Sequence, residues 1–164
     1  MASILNVDKI RATGSTTDGL TIDSSGRVFT PARPAFHTNA KESATSDGNP
    51  VVWTSVDFDI SGSYSTTTGK FTAPVAGIYQ FQFNLFFSSF NPAQVEMVHT
   101  PSGGSAVLKS EIKSQGFAGQ YHVLSDSRCL QLGVGDTVHV RKSSGTILNT
   151  NNGKFGSFSG FLVG

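Results

Sequence analysis

Residues Gly77 to Phe87 place Tyr79, Phe81, Phe83, Leu85 and Phe87 at every second position, with Gln80, Gln82 and Asn84 between them. A period of two puts one set on each face of an extended strand, whereas a helix would scatter both sets around its axis. A pattern this long demands a central strand with one dry face, and that face needs a second sheet to cover it. Val52, Thr54, Val56, Phe58 and Ile60 alternate in the same way with Ser55, Asp57 and Asp59, which predicts a half-buried strand with Trp53 on the opposite face. Shorter apolar or alternating pieces lie at Val95/Met97, Val123, Leu130/Leu132, Val138/Val140 and Phe158/Leu162. Turn-forming pairs such as Gly62-Ser63, Thr68-Gly69, Ala76-Gly77, Gly103-Gly104, Gly135-Asp136, Ser144-Gly145 and Asn152-Gly153 separate them. No segment keeps a 3.6-residue period beyond a turn or two. The fold expected is all-β, a sandwich or jelly roll of antiparallel strands.

Texture changes at Thr30-Pro31-Ala32-Arg33-Pro34, where two prolines fix an extended connector. With 164 residues, one core plus a modest appendage is the natural division. The boundaries expected are a segment 1–33 and a head 34–164. Upstream, Leu20 to Asp23, a Ser24-Ser25-Gly26 turn and Arg27 to Thr30 read as a hairpin, preceded by Ile4, Leu5, Val7 and Ile10. A lone hairpin is marginal in water, so this segment must borrow burial from sister chains or from a host structure. Ile4, Leu5, Val7, Ile10, Leu20, Ile22 and Val28 are the candidate anchoring residues.

Composition narrows the function. Twelve Lys and Arg nearly balance eleven Asp and Glu, and no basic run exceeds two residues, so neither nucleic acid nor an anionic membrane is an expected partner. The single Cys129 excludes an intrachain disulfide framework. Asn6, Asp8 and Lys9 interrupt the first apolar stretch before it reaches signal-peptide length, and no run approaches the ~20 residues of a membrane helix. A soluble product, made in a cytoplasm and carried outside by assembly, is the expectation.

Catalytic and metal patterns are weak. His37, His99, His122 and His139 are scattered, and His139, between Val138 and Val140, reads as a residue of a solvated strand face. His-Glu-x-x-His, phosphate-loop and Gly-x-Ser-x-Gly motifs are missing, so an enzyme is not expected. Asp57-Phe58-Asp59-Ile60-Ser61-Gly62 opens like a calcium loop, but Thr68 occupies the twelfth place where a bidentate Glu is required. Asp57 and Asp59 therefore read as the outer face of a strand, and no cofactor or metal is assigned. Gln94, Glu96, Arg128 and Arg141 read as solvated decoration. Trp53 could stack on a sugar ring of a host-surface glycan, or be buried at a subunit contact.

The order of landmarks from Pro34 onward resembles the globular head of the complement component 1q and tumour necrosis factor superfamily. The carriers are Pro34-Ala35-Phe36, Tyr64, Thr68-Gly69-Lys70-Phe71-Thr72-Ala73-Pro74, Ala76-Gly77-Ile78-Tyr79-Gln80-Phe81, Leu130-Gln131-Leu132 with Gly135-Asp136-Thr137-Val138, and Phe158-Ser159-Gly160-Phe161-Leu162. The resemblance implies a ten-stranded jelly roll, a compact homotrimer and chain termini at one end. Some relatives bind calcium near the trimer axis, but no ligand maps onto this sequence. Thirteen Phe are more than a small sandwich core should hide, so some should lie between subunits. The candidates are Tyr79, Phe81, Phe83, Phe87, Phe155 and Phe161. Gly160 should let a large neighbour cross closely.

No Gly-X-Y repeat precedes the head, so collagen-linked roles do not transfer. In its place Ser3 to Ile10 and Gly19 to Val28 resemble the lead-in of tail-fibre-like and other structural proteins of bacteriophages. The combined expectation is a non-enzymatic trimer on a virion surface, either a capsid decoration knob or a short tail fibre or receptor-binding tip. Its N-terminus would dock to other virion proteins. Two alternatives compete: a free lectin-like or ligand module, and a cupin-like enzyme that would require clustered histidines.

Overall fold

The computed structural model describes residues 7–41, 46–87, 92–115, 121–148 and 156–164. The chain divides into two compact units, Met1–Arg33 and Pro34–Gly164. Among the described residues there is no helix.

Among the described residues the first unit holds three short strands, β1 (Lys9–Ile10), β2 (Leu20–Ile22) and β3 (Val28–Phe29), in an antiparallel sheet of that order. The β2–β3 hairpin turns because the Asp23 carboxylate accepts from the amides of Ser25 and Arg27, both at 2.9 Å, while Gly26 adopts φ +75°. Strand β1 adds to what the sequence suggested as a hairpin.

Among the described residues the second unit contains ten strands, the number the resemblance implied: β4 (Ala35–Lys41), β5 (Trp53–Asp59), β6 (Tyr64–Ser65), β7 (Lys70–Thr72), β8 (Gly77–Phe87), β9 (Ala93–Thr100), β10 (Val107–Ser114), β11 (His122–Leu132), β12 (Thr137–Ser144) and β13 (Gly156–Leu162). They form two antiparallel five-stranded sheets, ordered β11-β8-β13-β4-β5 and β10-β9-β12-β7-β6. First and last strands of the unit pair in one sheet, Phe161 opposite Ala35, the closure typical of a jelly roll.

Strand β8 has the phase its alternation predicts. Tyr79, Phe81, Phe83, Leu85 and Phe87 are fully buried within the single subunit. The expectation that Tyr79, Phe81, Phe83 and Phe87 lie between subunits is therefore corrected, because their rings fill the subunit's own core. Phe36 is the hub of that core, with ring centroids 5.3 Å from Tyr64, 5.2 Å from Phe71 and 5.1 Å from Phe158. Large rings at these separations fill the space between sheets about 10 Å apart. Gly160 makes this possible: a Cβ there would lie 2.6 Å from Phe81 and 2.8 Å from Phe36. Gly69 serves another purpose, combining φ +69° with an approach in which a Cβ would meet the Val51 carbonyl at 2.5 Å.

Strand β5 departs from its expected phase. It is a sheet edge, and a register shift between the pairings of His37 with Phe58 and Thr38 with Val56 interrupts the alternation. Val56, Phe58 and Ile60 are exposed, while Trp53 is fully buried, its ring 5.3 Å from that of Phe158. A buried indole has no face to offer a sugar, so the glycan-contact role expected of Trp53 is corrected to a core role.

Candidate functional site: an outer sheet face

The sheet β11-β8-β13-β4-β5 buries one face against the core and presents the other outward. Its register sets the outward residues in rows. One row runs Ser125, Asn84, Ser157, Asn39 and Ser55; the next runs Ser127, Gln82, Ser159, His37 and Phe58; a third runs Cys129, Gln80, Phe161 and Ala35. Serines and carboxamides dominate, so the centre of the face is rich in hydrogen-bonding groups. The apolar residues gather beside the third row: Phe161, Ile78 and Val163 are 51, 48 and 45% exposed. Val163 donates its amide to the Ile78 carbonyl at 2.7 Å, which keeps the last residues on the sheet. Of the expected intersubunit aromatics, Phe161 alone is placed on an exposed face; Phe155 lies outside the described residues.

Side chains on this face are already tied together. Gln80 donates to Ser127 Oγ at 2.5 Å and accepts from Cys129 Sγ at 2.7 Å. Ser157 donates to Asn84. Asp57 gathers His37 Nδ1 at 2.7 Å and Asn39 Nδ2 at 2.8 and 2.9 Å, and Phe58 stacks beside the His37 ring. The register shift allows this, since Asp57 and Phe58 both end up beside His37. No local motif signals this cluster, because its members come from strands about 20 positions apart. Where β8 meets β11, Gln82, Phe83, Ser125, Asp126 and Ser127 line a shallow, open depression.

The other motifs singled out in the sequence resolve into structural roles. The Asp59 carboxylate accepts from the Ser63 and Tyr64 amides at 3.0 and 2.8 Å, so the calcium-like run closes a turn on itself. Among the described residues no group of three His, Cys, Asp or Glu is placed to hold a metal ion. His99 Nε2 meets Asp136 Oδ2 at 2.8 Å, and Asp136 also accepts from the amides of Ser102 at 2.8 Å and Gly133 at 3.0 Å. Those two amides hold the Asp136 carboxyl below the usual carboxylate range.

His139 and Glu96 correct the expectation of solvated side chains, for both are buried on the outer side of the second sheet. Burial, followed by the charges of Lys70 and Arg141, lowers the His139 pKa to about 4. Burial pushes the Glu96 carboxyl up, but donors on Arg141, Ser143 and Gln94 outweigh it and leave the pKa below its ordinary value. Arg141 is thus an ion-pair partner of Glu96, rather than free decoration. Arg128 remains about half-exposed and pairs with Asp126 at 2.7 Å.

In the N-terminal unit the register puts Ile10 opposite Leu20 and Ile22 opposite Val28. Four of the candidate anchoring residues thus share one face. Val7 is half-buried, and Ile4 and Leu5 lie outside the described residues.

Two five-stranded sheets around an aromatic core, with the end strands paired, define a jelly-roll head of the class shared by complement and tumour necrosis factor proteins. The chain belongs to the C1q domain family, which residues 35–163 match. It is similar to complement C1q tumor necrosis factor-related protein 3 of Homo sapiens and of Mus musculus, 25% identical to each over 130 residues. Those alignments cover 79% of this chain and 50% of each relative, so the chain spans about half the length of these curated proteins. Among solved structures, the globular domain of zebrafish complement 1qA superposes with a TM-score of 0.66 at 23% identity, covering 80% of this chain and 98% of that one. The Eiger tumour necrosis factor structure from S. frugiperda superposes with a TM-score of 0.67 at 14% identity, covering 81% and 94%. Domains of this family form homotrimers and are typically non-enzymatic.

Proposed function

We propose that this chain is a non-enzymatic homotrimeric structural protein of a bacteriophage virion surface, with its N-terminal segment attaching it to the particle and its jelly-roll head projecting outward. The observation that carries the trimer is the outer sheet face on which Phe161, Ile78 and Val163 lie together and remain about half-exposed in a single subunit. Burying such a patch against sister subunits removes apolar area from water at ~25 cal/mol per Å². Threefold symmetry also gives every subunit the same environment. Support for the virion setting comes from the lead-in sequences Ser3 to Ile10 and Gly19 to Val28. Capsid decoration and a short tail fibre or receptor-binding tip both fit this reading.

Sedimentation of the purified chain at micromolar concentration should give a trimer, and Phe161→Asp should shift it toward monomer. A well-behaved wild-type monomer refutes the assembly. Immunogold labelling of particles from cells producing the chain tests the setting: label over the capsid faces or the tail supports it, and unlabelled particles refute it.

A free soluble module binding a glycan or protein receptor is the second reading. The depression formed by Gln82, Phe83, Ser125, Asp126 and Ser127 favours it, since its hydroxyl and carboxamide groups can exchange hydrogen bonds with a sugar. Saturable binding of a defined glycan by the trimer, without particle association, would select this reading.

A further inference from the structure

The N-terminal sheet gathers its aliphatic side chains on one face. Ile10 faces Leu20 across β1 and β2, Ile22 faces Val28 across β2 and β3, and Leu20 and Ile22 are two positions apart on one strand. These four side chains therefore stand on one face, while the row Lys9, Thr21 and Phe29 stands on the other. No residue of the three strands is buried, and Ile10 and Val28 are 52 and 60% exposed. Phe29 has a local companion, the Arg27 guanidinium 5.9 Å from its ring centroid.

Charge does not point to a foreign partner. Asp18 pairs with Lys9 at 2.8 Å, and Asp23 pairs with Arg27 at 2.7 Å. Size argues the same way. Four aliphatic side chains offer on the order of 200–400 Å² of apolar surface, well short of the ~800 Å² per partner of a stable two-body contact. A separate protein would not be held by this face alone. A copy of the same face, already tethered by an assembled head, would be, because tethering raises its effective concentration into the millimolar range.

We propose that Ile10, Leu20, Ile22 and Val28 are covered by the same residues of two further copies of this chain, so that three small sheets close around a common threefold axis. The inference rests on the trimeric reading of the head. It reassigns these four residues from contact with the particle to contact between sister chains. Lys9, Thr21 and Phe29 then face outward. In such a closed arrangement β1 of one copy lies beside β3 of the next, bringing Ile10 near Val28 between chains.

Disulfide trapping in the full chain tests this, with Cys129→Ser removing the native thiol. The double variant Ile10→Cys/Val28→Cys probes the aliphatic face, and Lys9→Cys/Phe29→Cys probes the opposite one. Within one chain each pair sits on the outer strands of a three-stranded sheet, roughly 9–10 Å apart for Lys9 and Phe29 and about 12 Å for Ile10 and Val28, which are offset by two residues. Both separations exceed the ~7 Å limit for a disulfide, so any bond formed joins two chains. Under mild oxidation the aliphatic pair should give covalent trimers on a non-reducing gel on the order of 100-fold faster than the control pair. Equal rates, faster control bonding or no bonding in either pair, with sedimentation still reporting a trimer, would overturn the covered face and leave the trimeric head standing. A monomer in sedimentation would overturn both.

Discussion

Acidification should destabilise the head through His139 before most carboxylates begin to titrate. The ring is buried on the outer side of the second sheet, opposite Lys70 on β7 and Val98 on β9, with Arg141 two residues along its own strand. Burial is the larger obstacle to protonating the ring, and the charges of Lys70 and Arg141 add to it. Its pKa accordingly falls from 6.5 to about 4. The sign follows directly. Above pH 6.5 both folded and unfolded chains carry a neutral ring and His139 has no effect on stability. Below it the unfolded chain takes up the proton and the folded chain does not, so stability declines by about 1.4 kcal/mol per pH unit until the folded pKa is reached. Over roughly 2.5 units the loss approaches ~3 kcal/mol, a large share of an ordinary domain's stability. The perturbation is His139→Gln, which keeps a polar side chain and removes the titration. Urea unfolding of both proteins at pH 7.5, 6.0, 5.0 and 4.5, at fixed protein concentration and ionic strength, gives the difference in stability at each pH. Carboxylates such as Asp136 and Glu96 contribute to both curves and cancel in that difference. Wild type should be the more stable or equal at pH 7.5, and its advantage should shrink, or reverse, by about 2 kcal/mol on going to pH 5. Parallel stability curves would refute the buried, proton-excluding site.

Two further substitutions test the packing. Gly160→Ala would drive a methyl group into the Phe81 and Phe36 rings and should cost ~1–3 kcal/mol, read as a lower urea midpoint; an unchanged midpoint would mean that the rings move aside freely. Asp136→Asn weakens a carboxylate that accepts from Ser102, Gly133 and His99, and should cost ~1–3 kcal/mol at neutral pH. Because the native carboxyl is held below its usual range, its contribution is present above the ordinary carboxylate pKa and disappears as pH falls through the folded value. The gap between wild type and Asp136→Asn should therefore narrow in acid, and a gap constant with pH would exclude the charge-dependent role.

What was legible in the sequence is the part that periodicity and turn chemistry fix locally. Tyr79 to Phe87 alternate because one face of β8 must be dry, and that pattern alone requires a strand in a two-layered fold. The Ser24-Ser25-Gly26 turn and the Asp136 turn were readable for the same reason, since short side chains and glycine meet a local backbone requirement. Tertiary structure decided which face meets what. Alternation distinguishes the two sides of a strand but cannot say whether the dry side is covered by the same subunit or by another, so the β8 aromatics were placed between subunits when they fill the core. At β5 the register shift beside His37 reversed the phase, exposing Phe58 and assembling the Asp57, His37 and Asn39 cluster from two strands. His139 and Glu96 sit at polar positions of alternating strands, yet both are buried. Burial of this kind is a property of packing between strands distant in sequence, and no window along the chain contains it.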